Sequence, residues 1–442
     1  MLIDVLKPQV IKRGRKKKIK NYQIDSRKVR KGDVFFAIIG KEKNGHDYIE
    51  EVIKKKASVV IVSEMNEAWL KEDITILKVE DTTRAMLQVA HYLRKQYSIP
   101  IVAVTGSVGK TTTKELIFQI LKTRYHVLKS PKNYNNRIGI PLTLFQLNDQ
   151  YQIMVLEFGM NHAHEIEELS YLCEPDVSLI TNIGTAHIGY LNGKKNIAKA
   201  KLEILKGMKS GYFIQNPYDP YLKKVKSNTI EVINPKKDYN LYFTNVQLFQ
   251  TKTYAILHYQ KKKYSLMIPA PGKRMLENVL LAVQVGLLFQ IPIDTIINVI
   301  EQYTLPEGRG TLMHCANQVT VINDTYNASL ESLENNLTLL SLASNQKYLI
   351  FGDFLELGKY AKKIHKQAAK MIRKVPDLNV ILIGKYSKTM KSYLRHSKWY
   401  LSVKEALSDL RKTEFSDCTI LVKGSRKMNL DQIVDYFKKE KE

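Results

Sequence analysis

Residues 102–115 read "VAVTGSVGKTTTKE": an apolar run enters a Gly-rich turn and leaves it through one lysine and three threonines. The general phosphate-loop spacing, GxxxxGK[ST], would need glycine at position 104, where Val104 stands. The loop is therefore the tighter Gly106-Ser107-Val108-Gly109-Lys110-Thr111, followed by Thr112. Its chemistry survives the shortening. Glycines let the backbone approach phosphate closely, and N–H groups at a helix start point at it. Lys110 can reach the β/γ oxygens, and the Thr111 hydroxyl can ligate Mg²⁺. The expected ligands are ATP and Mg²⁺.

Two further strand ends carry candidates. "YQIMVLEFGM" ends an apolar run in Glu157, where conventional phosphate-loop ATPases place an aspartate for magnesium. "ITNIGTAHIGYLNG" puts His187 just past the next run. Thr111, Glu157 and His187 delivered to one rim point to a metal site, although each alone has a structural explanation. "NIAKAKLEILKGM" offers Lys199 and Lys201 on a helix, and composition alone makes both a solvated face.

Elements must bring these residues together. Between residues 34 and 63, "VFFAII", "HDYIEEVIKKK" and "SVVIVS" read as strand, helix and strand. From residue 100, "PIVAVTG", "QIMVLEFGM" and "VSLITNIG" alternate with helices over "TTTKELIFQILKTR" and "HEIEELSYL", the pattern of a doubly wound, mostly parallel sheet. "LYFTNVQLF", "TYAILHYQ" and "KYSLMIPA" read as three antiparallel strands, followed by two helices. After "LPEGRG" a third series has strands over "QVTVIND", "KYLIFGD", "NVILIG" and "CTILVKG". The expected fold is α/β in three domains: 1–98, 99–308 and 309–442.

Composition bounds the partners. The 442 residues are 44% hydrophobic and 25% charged, which suits globular domains. Cys173, Cys315 and Cys418 lie far apart without CxxC spacing, against a disulfide framework or zinc site and in keeping with a reducing cytoplasm. No apolar run approaches the roughly 18 residues of a membrane span. The net charge of +26 raises nucleic-acid binding, most at "IKRGRKKKIK" over residues 11–20. Yet lysines recur throughout, as in "QKKKYS" and "KKEKE", and no aromatic residues interleave with them. A lysine-rich solvated surface with no nucleic-acid partner is the expectation, and a positive field favours polyanionic small substrates.

With these motifs the chain resembles the Mur ligase family, the ATP-dependent amide-bond-forming enzymes of peptidoglycan precursor synthesis. "TGSVGKTT" is similar to that family's shortened phosphate loop, and "EFGMNHAHEI" and "TNIGTAHIGYLNGKKNIAKAKLEI" to its next two motifs. "DSRKVRKGDVFFAIIGKEKNGHDYI" resembles the uridine-diphosphate-binding region of the branch that adds D-alanyl-D-alanine to a UDP-muramoyl tripeptide. "NDTYNASLES", "GDFLELG" followed by His365, and "KGSRKMNLDQIV" resemble the C-terminal motifs of the same branch.

The resemblance implies three lobes and roles by residue. Ser26 and Arg27 contact the UDP substrate. Gly106, Ser107, Gly109, Lys110, Thr111 and Thr112 hold the ATP phosphates, Asn278 the adenine and Asp324 the ribose. Arg309 reaches the phosphates from the joint with the C-terminal domain. Glu157, His187 and a carbamylated Lys201 serve the magnesium sites with Thr111, and Asn327 and Ser332 read the incoming amine. Lys110, Glu157, His187, Lys201 and Arg309 form the catalytic set. The implied reaction activates a carboxylate as an acyl phosphate, which an amine then attacks, in a cytoplasmic monomer.

Arg274 and Met275 replace the family's usual His and Asn, and Ser329-Leu330 replaces an Asn-Pro pair. These departures keep open a sister ligase with a different amine or carboxylate.

Overall fold

The computed structural model describes residues 1–15 and 18–439. Lys16 and Lys17 of the basic run, and the last three residues of "KKEKE", lie outside the described residues. Strands β1 (Gln9–Lys12), β2 (Tyr22–Gln23), β3 (Val34–Phe36), β4 (Val59–Val62) and β5 (Thr75–Lys78) form the first sheet, in the order β1-β5-β4-β3-β2. Only β1 runs antiparallel to its neighbour. The helix Ile49–Lys54 lies between β3 and β4, as the sequence pattern requires.

The central sheet contains β6 (Ile101–Thr105), β7 (Val127–Lys129), β8 (Ile153–Glu157), β9 (Val177–Ile180), β10 (Tyr212–Ile214) and β11 (Glu231–Ile233). Its order is β11-β10-β9-β6-β8-β7 and every pairing is parallel. All residues of β6, β8 and β9 are buried. That is why these segments read as unbroken apolar runs rather than as alternation. β12 (Tyr242–Leu248), β13 (Thr253–Tyr259) and β14 (Lys262–Ile268) form the expected antiparallel sheet. It packs with the helices Lys110–Leu121, Lys273–Leu288 and Ile293–Glu301 over one face of the central sheet.

The fourth sheet has β15 (Thr311–His314), β16 (Val319–Asp324), β17 (Gln346–Gly352), β18 (Leu378–Ile383), β19 (Lys398–Tyr400) and β20 (Cys418–Lys423), ordered β15-β16-β20-β17-β18-β19. It is parallel except at β15. The four strands read from the sequence are its centre; β15 and β19 are short edges with half-exposed patterns and no periodic signal.

The helix Thr82–Lys95 is absent from the sequence expectation, although its Asp81 cap and apolar stripe are visible there. Its Ala85, Met86 and Val89 pack with the first sheet's Phe36 and Ile61. Leu87 and Ala90 instead join a core shared with the central lobe. Polar contacts reinforce this docking: Arg94 Nε donates to Cys173 O at 3.0 Å, His91 Nδ1 lies 3.0 Å from Leu172 O, and Lys95 pairs with Glu174 at 2.7 Å.

The Asp81 carboxylate accepts from the Thr83 and Arg84 N–H groups, at 2.7 and 3.0 Å. Asp81→Ala leaves both donors without that acceptor, and about 1 kcal/mol of unfolding free energy should be lost. Urea titration followed by circular dichroism checks this, with Asp81→Asn expected to retain most of the stability.

Candidate active site

Parallel pairing fixes where the chemistry collects. β6 pairs Val104 with Glu157 of β8 and Thr105 with Ile180 of β9, so all three strands end at one edge. The phosphate loop, Glu157 and the segment 181–187 therefore leave the sheet side by side, at the carboxyl edge where such sheets bind ligands. They line one side of a cleft of about 360 Å³, and Arg309, Asp324, Asn327 and Ser332 from the C-terminal series line the other.

Two glycines make the loop possible. Gly106 has φ +151°, and a Cβ there would meet the Thr181 Oγ1 at 1.8 Å. Gly109 has φ +86° and sits 2.5 Å, from its would-be Cβ, to Asn278 Oδ1. The segment after β9 then fixes the loop. Asn182 O accepts from Ser107 N at 3.0 Å, Asn182 Oδ1 accepts from Val108 N at 3.1 Å, and Gly184 N donates to Ser107 Oγ at 2.8 Å. The helix Lys110–Leu121 begins at once without a side-chain cap. Its first N–H groups lack intrahelical acceptors, and Lys110, Thr111 and Thr112 all face the cleft.

Positive charge is concentrated here. Lys110 Nζ donates to Gly106 O at 2.8 Å, and Lys201 Nζ donates to the same carbonyl at 3.0 Å. Lys201 is 2% exposed, on the helix Lys194–Leu202, whereas Lys199 is exposed. The two lysines that composition could not separate are thus opposite in environment. Burial, and then the neighbouring Lys110 charge, push the Lys201 ammonium well below its usual range. Burial also lowers Lys110, with Glu157 opposing and Arg309 adding to the shift.

Glu157, 2% exposed, supplies the negative counterpart. Its Oε2 accepts from Thr111 Oγ1 at 2.8 Å and its Oε1 from Asn135 Nδ2 at 2.9 Å. Arg309 Nη2 crosses from the joint to donate to Thr111 Oγ1 at 2.9 Å, with its guanidinium 4.2 Å above the Tyr326 ring. His187 opens the short helix Ile188–Leu191, with Nδ1 3.0 Å from Glu356 Oε2. The adjacent His187 ring holds the Glu356 carboxyl below its usual range, against burial.

Other candidates are also placed. Asn278 lines the cleft beside Gly109, and Arg274 lines it while pairing with Glu277 at 3.2 Å. Asp324 pairs with the buried Lys423 and accepts from Asn336. Ser332 lines the cleft but its hydroxyl is engaged in the capping box of the helix Leu330–Ser341, whose cap is Ser329. His365 is fully buried and packs inside the C-terminal lobe, accepting from Phe354 N at 3.1 Å. Ser26 and Arg27 lie outside the cleft, in a turn of the first lobe where Ser26 Oγ donates to Glu51 at 2.8 Å and Arg27 pairs with Asp25 at 2.8 Å.

Several contributors escaped the sequence reading: Asn135, Asn182, Lys114, Glu331 and Glu356. "SPKNYNNRIG" carries a signal for the first, since Asn clusters near Gly mark turns that aim amides. Lys114, fully buried, donates to Ser130 O at 2.8 Å and Lys132 O at 3.2 Å, and so supports that same turn. Glu331, 8% exposed, accepts from Thr185 N at 3.1 Å, Thr185 Oγ1 at 2.8 Å and Lys194 Nζ at 3.0 Å. Burial raises its carboxyl, but Lys194 and the Thr185 N–H outweigh burial and the net shift is downward.

Comparison with known proteins follows the same division. Residues 18–94 match the family model described as Mur ligase family, catalytic domain; residues 104–286 match the Mur ligase middle domain; residues 308–426 match the Mur ligase, glutamate ligase domain. The chain is 31% identical to the UDP-N-acetylmuramoyl-tripeptide–D-alanyl-D-alanine ligase of Buchnera aphidicola subsp. Baizongia pistaciae, over 94% of this chain and 92% of that one. Among solved structures it is similar to MurF from Acinetobacter baumannii, with a TM-score of 0.91, 26% identity and coverage of 99% and 98%. MurF ligase from Thermotoga maritima in complex with ADP gives a TM-score of 0.83 at 25% identity, over 95% and 97%.

The depressed ammonium of Lys201 has a thermodynamic consequence. The unfolded chain binds this proton up to the ordinary lysine range and the folded chain releases it earlier, so folded stability rises with pH across that window. Lys201→Met removes the titration. Without nucleotide, the variant should gain stability relative to the parent at pH 7, and the gain should shrink towards pH 10 in paired urea titrations.

Proposed function

The chain belongs to the Mur ligase family, and from that membership we propose that it joins D-alanyl-D-alanine to the terminal carboxylate of a UDP-N-acetylmuramoyl-tripeptide, driven by ATP. One observation carries the chemistry. Lys110 and Arg309 bring two cationic side chains from different lobes to the phosphate loop and the helix it opens. A carboxylate and an amine condense slowly because hydroxide is a poor leaving group. Moving the γ-phosphoryl onto the carboxylate makes an acyl phosphate, but two anions must first meet. Lys110 and Arg309 screen that repulsion in a partly dehydrated cleft. The deprotonated amine then attacks the acyl carbon, and the tetrahedral intermediate expels phosphate.

In this reading the loop N–H groups cradle the phosphates, Asn278 and Asp324 take adenine and ribose, and Asn327 and Ser332 face the incoming amine. Ser26 and Arg27 receive the uridine diphosphate on the first lobe. The lobes correspond to residues 1–98, 99–308 and 309–442. The donor set fits magnesium: the Thr111 hydroxyl and Glu157 carboxylate are adjacent hard oxygens. His187, with Nδ1 turned to Glu356, has Nε2 left to ligate. When bound, Mg²⁺ neutralises phosphate charge and orients its oxygens.

Lys201 suits carbamylation. A buried amine depressed by burial and by Lys110 is readily neutral, and neutral nitrogen attacks CO₂, forming an N–C bond and releasing a proton. The resulting carboxylate would reverse the sign of charge beside Lys110 and face the metal. Among the described residues no helix is long and apolar enough to cross a membrane. The buried thiols Cys173 and Cys418 suit a reducing compartment, so we place the enzyme in the cytoplasm, acting as a monomer.

The deciding assay offers Mg-ATP, UDP-muramoyl tripeptide and a panel of amines and dipeptides while ADP is followed. D-alanyl-D-alanine should drive turnover; silence with it but turnover with another amine would transfer the reading to a sister ligase. Lys110→Ala should lower kcat by about 10²–10³-fold. Lys201→Ala should lose most activity, and CO₂-depleted buffer should slow the parent enzyme; full activity in that variant would refute the carbamate.

A further inference from the structure

Glu331 has no part in the reaction as drawn, yet it is a buried carboxylate that ties two lobes together. It sits in the first turn of the helix Leu330–Ser341, beside Ser329 and Ser332, which line the cleft. Its oxygens are taken by the opposite lobe: Oε2 by the Thr185 N–H and hydroxyl, and Oε1 by Lys194. Thr185 is not an arbitrary partner. It belongs to the segment whose Asn182 and Gly184 hold Ser107 and Val108 of the phosphate loop, and which ends in His187. Gly184 keeps the joint tight, since a Cβ there would stand 2.8 Å from the Glu331 carboxyl carbon and 3.0 Å from Ser107 Cβ.

A short path therefore runs from the phosphate loop to Glu331: Ser107 is hydrogen-bonded to Gly184, which is joined by a peptide bond to Thr185, whose N–H and hydroxyl bond Glu331 and so the helix turn facing the amine. Each link is charge-assisted or buried, the class of contact whose loss is felt most. We propose that Glu331 is the positioning residue that couples closure of the C-terminal lobe to the phosphate loop, so that the acyl phosphate forms only when water has been excluded. This inference rests on the ligase reading of the same cleft. Without the latch, activation would proceed in a looser cleft and water would compete with the amine for the acyl phosphate.

The test compares parent, Glu331→Gln, Glu331→Asp and Lys194→Met, first checked for native circular dichroism. In Glu331→Gln, kcat for amide formation should fall about tenfold, the order expected for one charged hydrogen-bond partner. ADP released per amide formed should rise above one, and Glu331→Asp should recover part of the loss. Lys194→Met should move both quantities in the same direction, and the double variant Glu331→Gln/Lys194→Met should be no worse than Glu331→Gln alone. If Glu331→Gln does not fold, the half-exposed Lys194 carries the test. A ratio that stays at one with kcat within twofold, or effects that add, would overturn the assignment. Small-angle scattering with a nonhydrolysable ATP analogue needs no amine and separates the two readings. The parent should compact and Glu331→Gln should compact less, even if D-alanyl-D-alanine proves not to be the substrate. Equal compaction would overturn the latch alone.

Discussion

Two lysine side-chain nitrogens share one carbonyl oxygen. Lys110 and Lys201 both donate to Gly106 O, on a loop whose glycine cannot be replaced without striking Thr181. Charging both this close is costly, and burial, which leaves little water to screen them, favours the neutral form of Lys201. The arrangement is stable only because the fold over-determines it. β6 delivers the loop, Asn182 and Gly184 clamp it, and Glu157 supplies the compensating charge through Thr111. A cleft poised in this way is incomplete until polyanions enter, and that is the state a nucleotide-driven ligase needs.

Much of this was legible in the chain because strand ends and motif residues coincide. Val104 pairs with Glu157 and Thr105 with Ile180, so reading three apolar runs was enough to place Thr111, Glu157 and His187 on one rim. Composition and spacing did not separate the lysines; only the family resemblance singled out Lys201. Lys199 and Lys201 are two residues apart on one helix, in a protein rich in solvated lysine. Packing then shows that Lys201 points inward while Lys199 faces solvent. Short edge strands such as β7 and β19 also escaped, since three residues carry no period.

Contacts between lobes were the least visible. Glu331 and Glu356 act on residues more than a hundred positions away, and nothing in local composition marks a carboxylate as bound for another lobe; Arg309, which also crosses, was reached only through the family resemblance. Ser329 shows the converse case. As the replacement for the family's usual pair it promised an altered amine site, yet locally it is a good helix cap, with its hydroxyl accepting from the Ser332 N–H. The substitution therefore preserves the helix start that presents Ser332 and Glu331.

The docked helix Thr82–Lys95 has a mechanical consequence. With one flank in the first sheet's core and the other in the central core, it welds those two lobes into a single block, and Arg94 and Lys95 rivet its end to Cys173 and Glu174. Swinging must then fall to the remaining lobe. The stretch before it carries Gly308 and Gly310 at φ +74° and +78°, the second with open space around it, where a backbone can pivot cheaply. Whatever the first lobe carries would then stay still relative to the phosphate loop while the C-terminal lobe moves.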